Sequence, residues 1–242
     1  ITDFRWSVQR AQYGYRALVN VPLLVDIHGV PFIDVRTSLN SLIPASLRES
    51  AAHKLVDACI TFLSVNPEFH DKIEFSILPT CLTADTDDEL QRRFDRTFDS
   101  IERNEIVVSL RQLTASLIEQ HERIAAVEAG MVAQMEARRR SLESSPRDPL
   151  EQAYWLLTDC GEFGVRPFVG QARRAFIATD ILRSFVRTGI IDDKAYVSFM
   201  RDIDTVTRRF HGDLRNFSAN ELLAKYGHLR PGTYDIRSPR YD

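Results

Sequence analysis

Lysine is nearly missing from this chain: of its 31 basic residues only Lys54, Lys72, Lys194 and Lys225 are lysines, and the other 27 are arginines. Arginine binds carboxylate and phosphate through a planar fork, but a GC-rich genome gives the same bias, so position must decide what the arginines do. Cysteine is also scarce, with Cys59, Cys81 and Cys160 far apart and no CxxC pair. That spacing argues against a disulfide framework or a zinc site, and it fits a reducing cytoplasm. No apolar run is long enough to span a bilayer, and the start carries no secretory signal pattern. Net charge is only −3, which argues against a broad basic surface for nucleic acid. No Walker loop, GxGxxG, HExxH or GxSxG occurs. Of the six histidines, no two stand at metal-ligand spacing on one helix, so no metal site is expected.

What is present is an ordinary globular balance over 242 residues, 44% hydrophobic and 27% charged, enough to bury a proper core. The chain opens on Ile1 and reads as a piece of a longer one. Its expected organisation is a single domain over 1–242, with a mixed α/β part at 1–85 and a helical part at 86–242. Pro22–Ile27, the His28-Gly29 turn and Pro31–Val35 read as a β-hairpin. The alternation of Asp34, Arg36, Ser38 and Asn40 with Ile33, Val35, Thr37 and Leu39 reads as continued extended chain. Lys72–Leu78 reads as a third strand. Helices are expected over Leu47–Val65, from Asp85 or Thr86, over 149–159, 167–188, 192–215 and 218–226. Residues 105–143, without proline, predict one long helix of up to about 35 residues, ~50 Å at 1.5 Å per residue. Breaks at Gly161–Pro167 and Gly189–Asp192 predict antiparallel neighbours. The expected class is therefore α+β: mainly a helical bundle with one long helix and a small antiparallel sheet from the N-terminal third. The arginine clusters at 92–93, 138–140, 173–174 and 208–209 read as solvated helix faces or intramolecular ion pairs.

Two polar segments stand out as candidate chemistry. In 226–237, glycines let the backbone approach a ligand, His228 can move a proton near neutral pH, and Arg230 can fork onto an anion. Tyr226, Thr233, Asp235 and Arg237 supply further polar contacts. In 34–41, Asp34, Arg36, Ser38 and Asn40 are placed to meet a polar substrate. Each segment has a plain alternative: a self-satisfied closing loop for the first, and a buried Asp34–Arg36 pair for the second.

These segments also carry a family resemblance. The run Tyr226-Gly227-His228-Leu229-Arg230-Pro231-Gly232-Thr233-Tyr234-Asp235-Ile236, followed by Ser238-Pro239-Arg240-Tyr241, resembles the end of the middle domain in phosphoenolpyruvate synthase-like phosphotransferases. So do Phe32–Ala45, the opening Ile1-Thr2-Asp3 with Gln9-Arg10 and Tyr13-Gly14-Tyr15-Arg16, Asn66–Phe75 and Pro167-Phe168-Val169-Gly170. The subgroup is similar to the L-glutamine kinases. Rifampin phosphotransferases are more distant; their run reads Tyr-Gly-His-Arg-Gly-Pro-Gly-Glu, and Leu229-Arg230 and Thr233 depart from it, which points away from rifampin as acceptor.

The resemblance implies a multidomain enzyme. An ATP-grasp domain with ATP and Mg phosphorylates a histidine on a mobile domain, leaving AMP and phosphate, and that domain delivers the phosphoryl group to an acceptor. This chain resembles the acceptor-binding middle piece, needing no cofactor of its own and inactive alone, with His228 distinct from the phosphorylated histidine. Its expected partners are a small-molecule acceptor, an amide or amino acid such as L-glutamine, and the ATP-grasp and phosphohistidine domains of the same chain. Nucleic acid and membrane are not expected. On that reading His228, Arg230 and Arg36 are the catalytic candidates, and Asp34, Ser38, Asn40, Tyr226, Thr233, Asp235 and Arg237 bind substrate where the two segments meet. The competing expectation is a non-catalytic helical scaffold or dimerisation domain; a weaker third is a regulatory binding module.

Overall fold

A tight turn at His28-Gly29 pairs β1 (Leu24–Ile27) with β2 (Val30–Ile33) in antiparallel register, Leu24 opposite Ile33 and Ile27 opposite Val30. Both turn residues have positive φ, 55° and 80°, the type I′ geometry that suits the right-handed twist of a two-residue hairpin. The Asp26 carboxylate accepts from the Gly29 N–H at 2.9 Å. The computed structural model describes residues 5–230 and 237–242, apart from the side chains of Arg5 and Phe75. Among the described residues this hairpin is the only sheet, and the rest is dominated by helix. The class is α+β, as expected.

The extended chain expected at 34–40 is helix instead. Asp34 is an N-cap: its carboxylate accepts from Thr37 N–H at 2.5 Å and opens α2 (Val35–Asn40). A capping aspartate whose carboxylate reaches the N–H three residues on outweighs a short alternation. The strand expected at 72–78 is a wide π-type turn over Ile73–Ile77. The Arg93 guanidinium, from the next helix, holds its Ser76 carbonyl at 2.7 Å.

The chain divides into two compact units, 1–190 and 191–242. In the first, the change of sequence character at residue 85 is not a packing boundary. One core joins Leu39, Leu42, Ile43, Leu55 and Val56 to Leu90, Phe94, Ile106 and Leu110. It is built from α2, α3 (Glu49–Val65), α4 (Thr86–Phe94) and α5 (Ser100–Glu119). A second core gathers Tyr13, Tyr15, Cys81, Leu113, Leu117 and Ile177.

The single helix expected over 105–143 is two. A capping box at Asp99–Glu102 starts α5, and Gln120, with φ −91° and ψ 0°, separates it from α6 (His121–Glu143). Conversely, the break expected at Gly161–Pro167 does not separate antiparallel neighbours. Here α7 (Pro149–Asp159), a π-type turn over Cys160–Val165 and α8 (Arg166–Arg187) run on as one long joined helix. Pro167 lacks the N–H that a regular turn would send to residue 163, and the widened turn just before it takes up that gap. Gly164 lies against Met135 of α6, whose sulfur would be 2.9 Å from a Cβ there. α6 packs on α7 and α8, and α1 (Arg5–Gln12) packs on α8.

The second unit holds α9 (Asp193–Asp202), α10 (Val206–Asn216) and α11 (Ala219–Tyr226), each started by a side-chain cap from Asp192, Thr205 or Ser218. The one helix expected over 192–215 is split where Ile203 turns extended, ahead of the Thr205 cap. Tyr226 meets Phe210 edge-on at 4.8 Å between ring centres, and its hydroxyl donates to Asp213, which also pairs with Lys225. No helix among the described residues is long and apolar enough to cross a membrane.

Candidate functional site

Three elements of the first unit bring polar side chains to one place. α1 supplies Gln9, and Tyr13 follows its last residue by one position. α6 supplies Glu128. α8 supplies Gly170 and Arg174, four residues apart and therefore on one face. Tyr13 donates to Glu128 Oε1 at 2.5 Å. Arg174 Nη2 donates to Glu128 Oε2 at 2.6 Å and Nη1 to Oε1 at 3.0 Å, and Nη1 also reaches the Tyr13 hydroxyl at 2.6 Å. The guanidinium also lies over the Tyr13 ring, 5.7 Å from its centre. Burial, followed by the bond to Glu128, pushes the Tyr13 phenol above its ordinary range, so it keeps its proton. Glu128 itself is buried at 6% exposure, and a lone buried carboxylate there would be costly without Arg174. The bond to Glu128 in turn raises the Arg174 guanidinium.

Gln9 is the exception in this network. It is buried at 3% exposure, and neither its amide nitrogen nor its amide oxygen makes a well-formed hydrogen bond, the Tyr13 hydroxyl being its polar neighbour. A buried amide left unpaired costs about 1–3 kcal/mol, and natural proteins keep few such groups. Gln9 lines a cavity of about 260 Å³ together with Tyr13, Glu128, Arg123 and Arg166, and with apolar walls from Val127, Met131 and Pro167. Gly170 keeps this end open: a Cβ there would sit 2.2 Å from Glu128 Oε1 and 2.9 Å from Gln9 Nε2. The cavity thus offers an unsatisfied amide, a carboxylate, two arginines and an apolar wall, the donor set for a small polar molecule with an aliphatic part. A groove of about 470 Å³ beside Ser7, Ala11 and Leu18 is larger but mainly apolar, with no converging charged groups.

The first-unit residues singled out from sequence are not among those that line this cavity. Asp34 is spent on the α2 cap. Arg36 pairs with Asp57 at 2.7 Å, both more than half exposed. Asn40 donates to the Arg36 carbonyl at 2.9 Å, and the Ser38 carbonyl accepts from Ser41. Asp34, Arg36, Ser38 and Asn40 belong to the first unit, and Tyr226, His228, Arg230 and Arg237 to the second. Tyr226 is held by Asp213. His228, Arg230 and Arg237 are exposed, and the chain end returns to this loop through Tyr241 N–H bonds to the Gly227 and Leu229 carbonyls. Thr233 and Asp235 lie outside the described residues. The arginine pair 173–174 is the reading that changes most: it forms intramolecular ion pairs, but in the interior rather than on a solvated face. Its signal in the sequence was only the surrounding Pro167–Gly170 run. No family model, curated protein or solved structure matches the chain.

Proposed function

We propose that this chain is the acceptor-binding domain of a multidomain ATP-dependent phosphotransferase of the phosphoenolpyruvate synthase-like class, and that the Gln9 cavity holds the acceptor. The observation that carries the reading is the buried, unpartnered Gln9 amide facing a cavity already walled by Glu128, Arg123 and Arg166. An amino acid with a side-chain amide matches those groups. Its ammonium suits Glu128, its carboxylate suits an arginine, its amide pairs with Gln9, and its methylenes lie on Val127 and Met131. L-Glutamine is the first candidate. Tyr13 and Arg174 then act as positioning residues, since both fix Glu128.

Phosphoryl transfer depends chiefly on placing the acceptor and stabilising charge, which is the part this domain supplies. Among the described residues no group of three His, Cys, Asp or Glu side chains could hold a metal ion. On this reading the ATP and Mg chemistry belongs to partner domains, as does the phosphohistidine that delivers the group.

The test is calorimetric titration of the chain with L-glutamine, L-glutamate and L-norleucine. Saturable glutamine binding, weaker for the other two and lost in Gln9→Leu and Arg166→Ala, is expected. No binding of any amino acid, with the protein folded, ends the reading. The scaffold reading draws on one feature: Leu150, Tyr154 and Leu157 recur at helical spacing on α7 and are 83%, 63% and 76% exposed. A concentration-dependent dimer abolished by Leu157→Glu would favour it.

A further inference from the structure

Next to Gln9 on α1 stands Arg10, and next to Arg174 on α8 stands Arg173. These two arginines meet on a different side of the α1–α8 contact and converge on one carboxylate. Arg173 Nη1 donates to Glu74 Oε2 at 2.5 Å, and Arg10 Nη2 donates to Glu74 Oε1 at 3.3 Å. Each guanidinium is backed by an aromatic face, Arg173 by Tyr15 at 5.6 Å and Arg10 by Trp6 at 5.3 Å. Stacking of this kind leaves the N–H edges for an anion. Hydroxyls close the sides: Arg10 also donates to Ser41, and Arg173 to Thr80.

Two features mark this cluster as more than an internal ion pair. First, two cations share a single carboxylate. The other carboxylate in the vicinity, Asp180, takes its hydrogen bond from the Cys81 thiol rather than from either arginine. Burial, opposed by Glu74 and reinforced by the nearby Arg173 charge, depresses the Arg10 guanidinium, while Tyr15 and Glu74 outweigh burial and raise that of Arg173. Second, Arg173 is buried at 5% exposure and its Nε has no partner. A carboxylate has two oxygens, one spent on each arginine here, and leaves that third donor unmet. A tetrahedral dianion has both the missing charge and the missing oxygen. Access is one-sided: the Glu74 side chain is 24% exposed and Arg10 13%, against 5% for Arg173.

We propose that Arg10 and Arg173, with Ser41 and Thr80, form an oxyanion site for a phosphate-class dianion, which the Glu74 carboxylate occupies as an internal stand-in. The two arginines would accept such a dianion whichever ligand the Gln9 cavity is assigned. Glu74 sits on the Ile73–Ile77 turn at the solvent side of the cluster, so an incoming dianion displaces its side chain and nothing deeper.

The experiment titrates the chain with inorganic phosphate, with acetate as the monoanion control, by calorimetry and by the phosphate-induced shift in Tm. Wild-type protein is expected to bind phosphate weakly. Glu74→Gln, which removes the competing charge and keeps the shape, should bind phosphate at least tenfold more tightly, with no such gain for acetate. Adding Arg10→Gln to Glu74→Gln should abolish the gain. If Glu74→Gln lowers the Tm, phosphate should restore it. The proposal is overturned if Glu74→Gln binds phosphate no more tightly than wild type, if acetate gains equally, if the gain survives Arg10→Gln, or if a destabilised Glu74→Gln is not rescued by phosphate. Glu74 would then be a structural counter-ion.

Discussion

Substituting Gly170 by alanine separates a built cavity from an incidental gap. A Cβ at 170 falls 2.2 Å from Glu128 Oε1, 2.2 Å from the Tyr13 hydroxyl and 2.9 Å from Gln9 Nε2. All three are tips of flexible side chains, so shape alone does not forbid the change; they resist because Tyr13, Glu128 and Arg174 are bonded together. Moving the tips apart loses the Tyr13–Glu128 bond, a bond to a charged group worth roughly 1.5–3 kcal/mol. Against this, alanine gains about 1 kcal/mol over glycine within a helix. The net expectation is a loss of about 0.5–2 kcal/mol. Gly130, on α6, is the internal control, since nothing lies within 4 Å of its Cβ position; Gly130→Ala should gain about 0.5–1 kcal/mol. The same chemical change thus moves stability in opposite directions at two helical sites. For a chain of this size the difference, about 1–3 kcal/mol, corresponds to roughly 2–12 °C in Tm. Scanning calorimetry of the two variants measures it, and titration of Gly170→Ala should show weakened glutamine binding. A Gly170→Ala protein as stable as Gly130→Ala would refute the argument, because the bonded tips would then have moved at no cost.

Other outcomes follow from single contacts. Burial works to raise the Asp85 carboxyl, but hydrogen bonds from Arg187 and Thr83 outweigh it and hold the group below its ordinary 3.8. A depressed folded-state value means the stabilisation is present above about pH 4 and is lost as pH falls through the lower value. Asp85→Asn should therefore flatten the acid side of a stability–pH curve without altering its slope near neutrality. Burial pushes the Cys59 and Cys81 thiols up to about 12, while Cys160 is exposed. A thiol reagent at pH 8 should modify Cys160 alone in native protein and all three cysteines in denaturant. Arg36→Ala should change stability by less than about 0.5 kcal/mol, because its pair with Asp57 is exposed; it should also leave glutamine binding intact, and a loss of binding would return Arg36 to the acceptor site.

The parts of the fold legible in the sequence are those fixed by neighbours in the chain. The hairpin follows from His28-Gly29, and several helix starts follow from caps such as Asp148 with Pro149 and Ser218 with Glu221. The failures are cases where local pattern was ambiguous. Asp34 serves an alternating strand or a helix cap equally well by composition, and the cap's bond to Thr37 decides it. Gln120 breaks a helix without glycine or proline, whereas Gly161, Gly164 and Pro167 fail to break one, because α6 packs against that stretch. The cavity was not legible for a different reason. Gln9, Tyr13, Glu128 and Arg174 are spread over 166 residues, and no spacing rule links them. Their polar character pointed outward until the packing of α1 on α8 turned it in.

That packing ties the two sites together. α1 is eight residues long, too short to hold as a helix in water without docking. It is held through Ser7, which accepts from Leu18 N–H at 3.0 Å and donates to the Leu18 carbonyl at 2.6 Å, and through Arg10 and Tyr13. Gln9 and Arg10 are consecutive on α1, and Arg173 and Arg174 are consecutive on α8. Both the amide cavity and the oxyanion cluster therefore exist only while α1 is docked. A ligand that binds only the docked form shifts docking by the factor 1 + [L]/Kd, and the same docked form is the one the other ligand requires. Occupancy of either site must then raise affinity at the other by an equal factor, to the extent that α1 is undocked in the free protein.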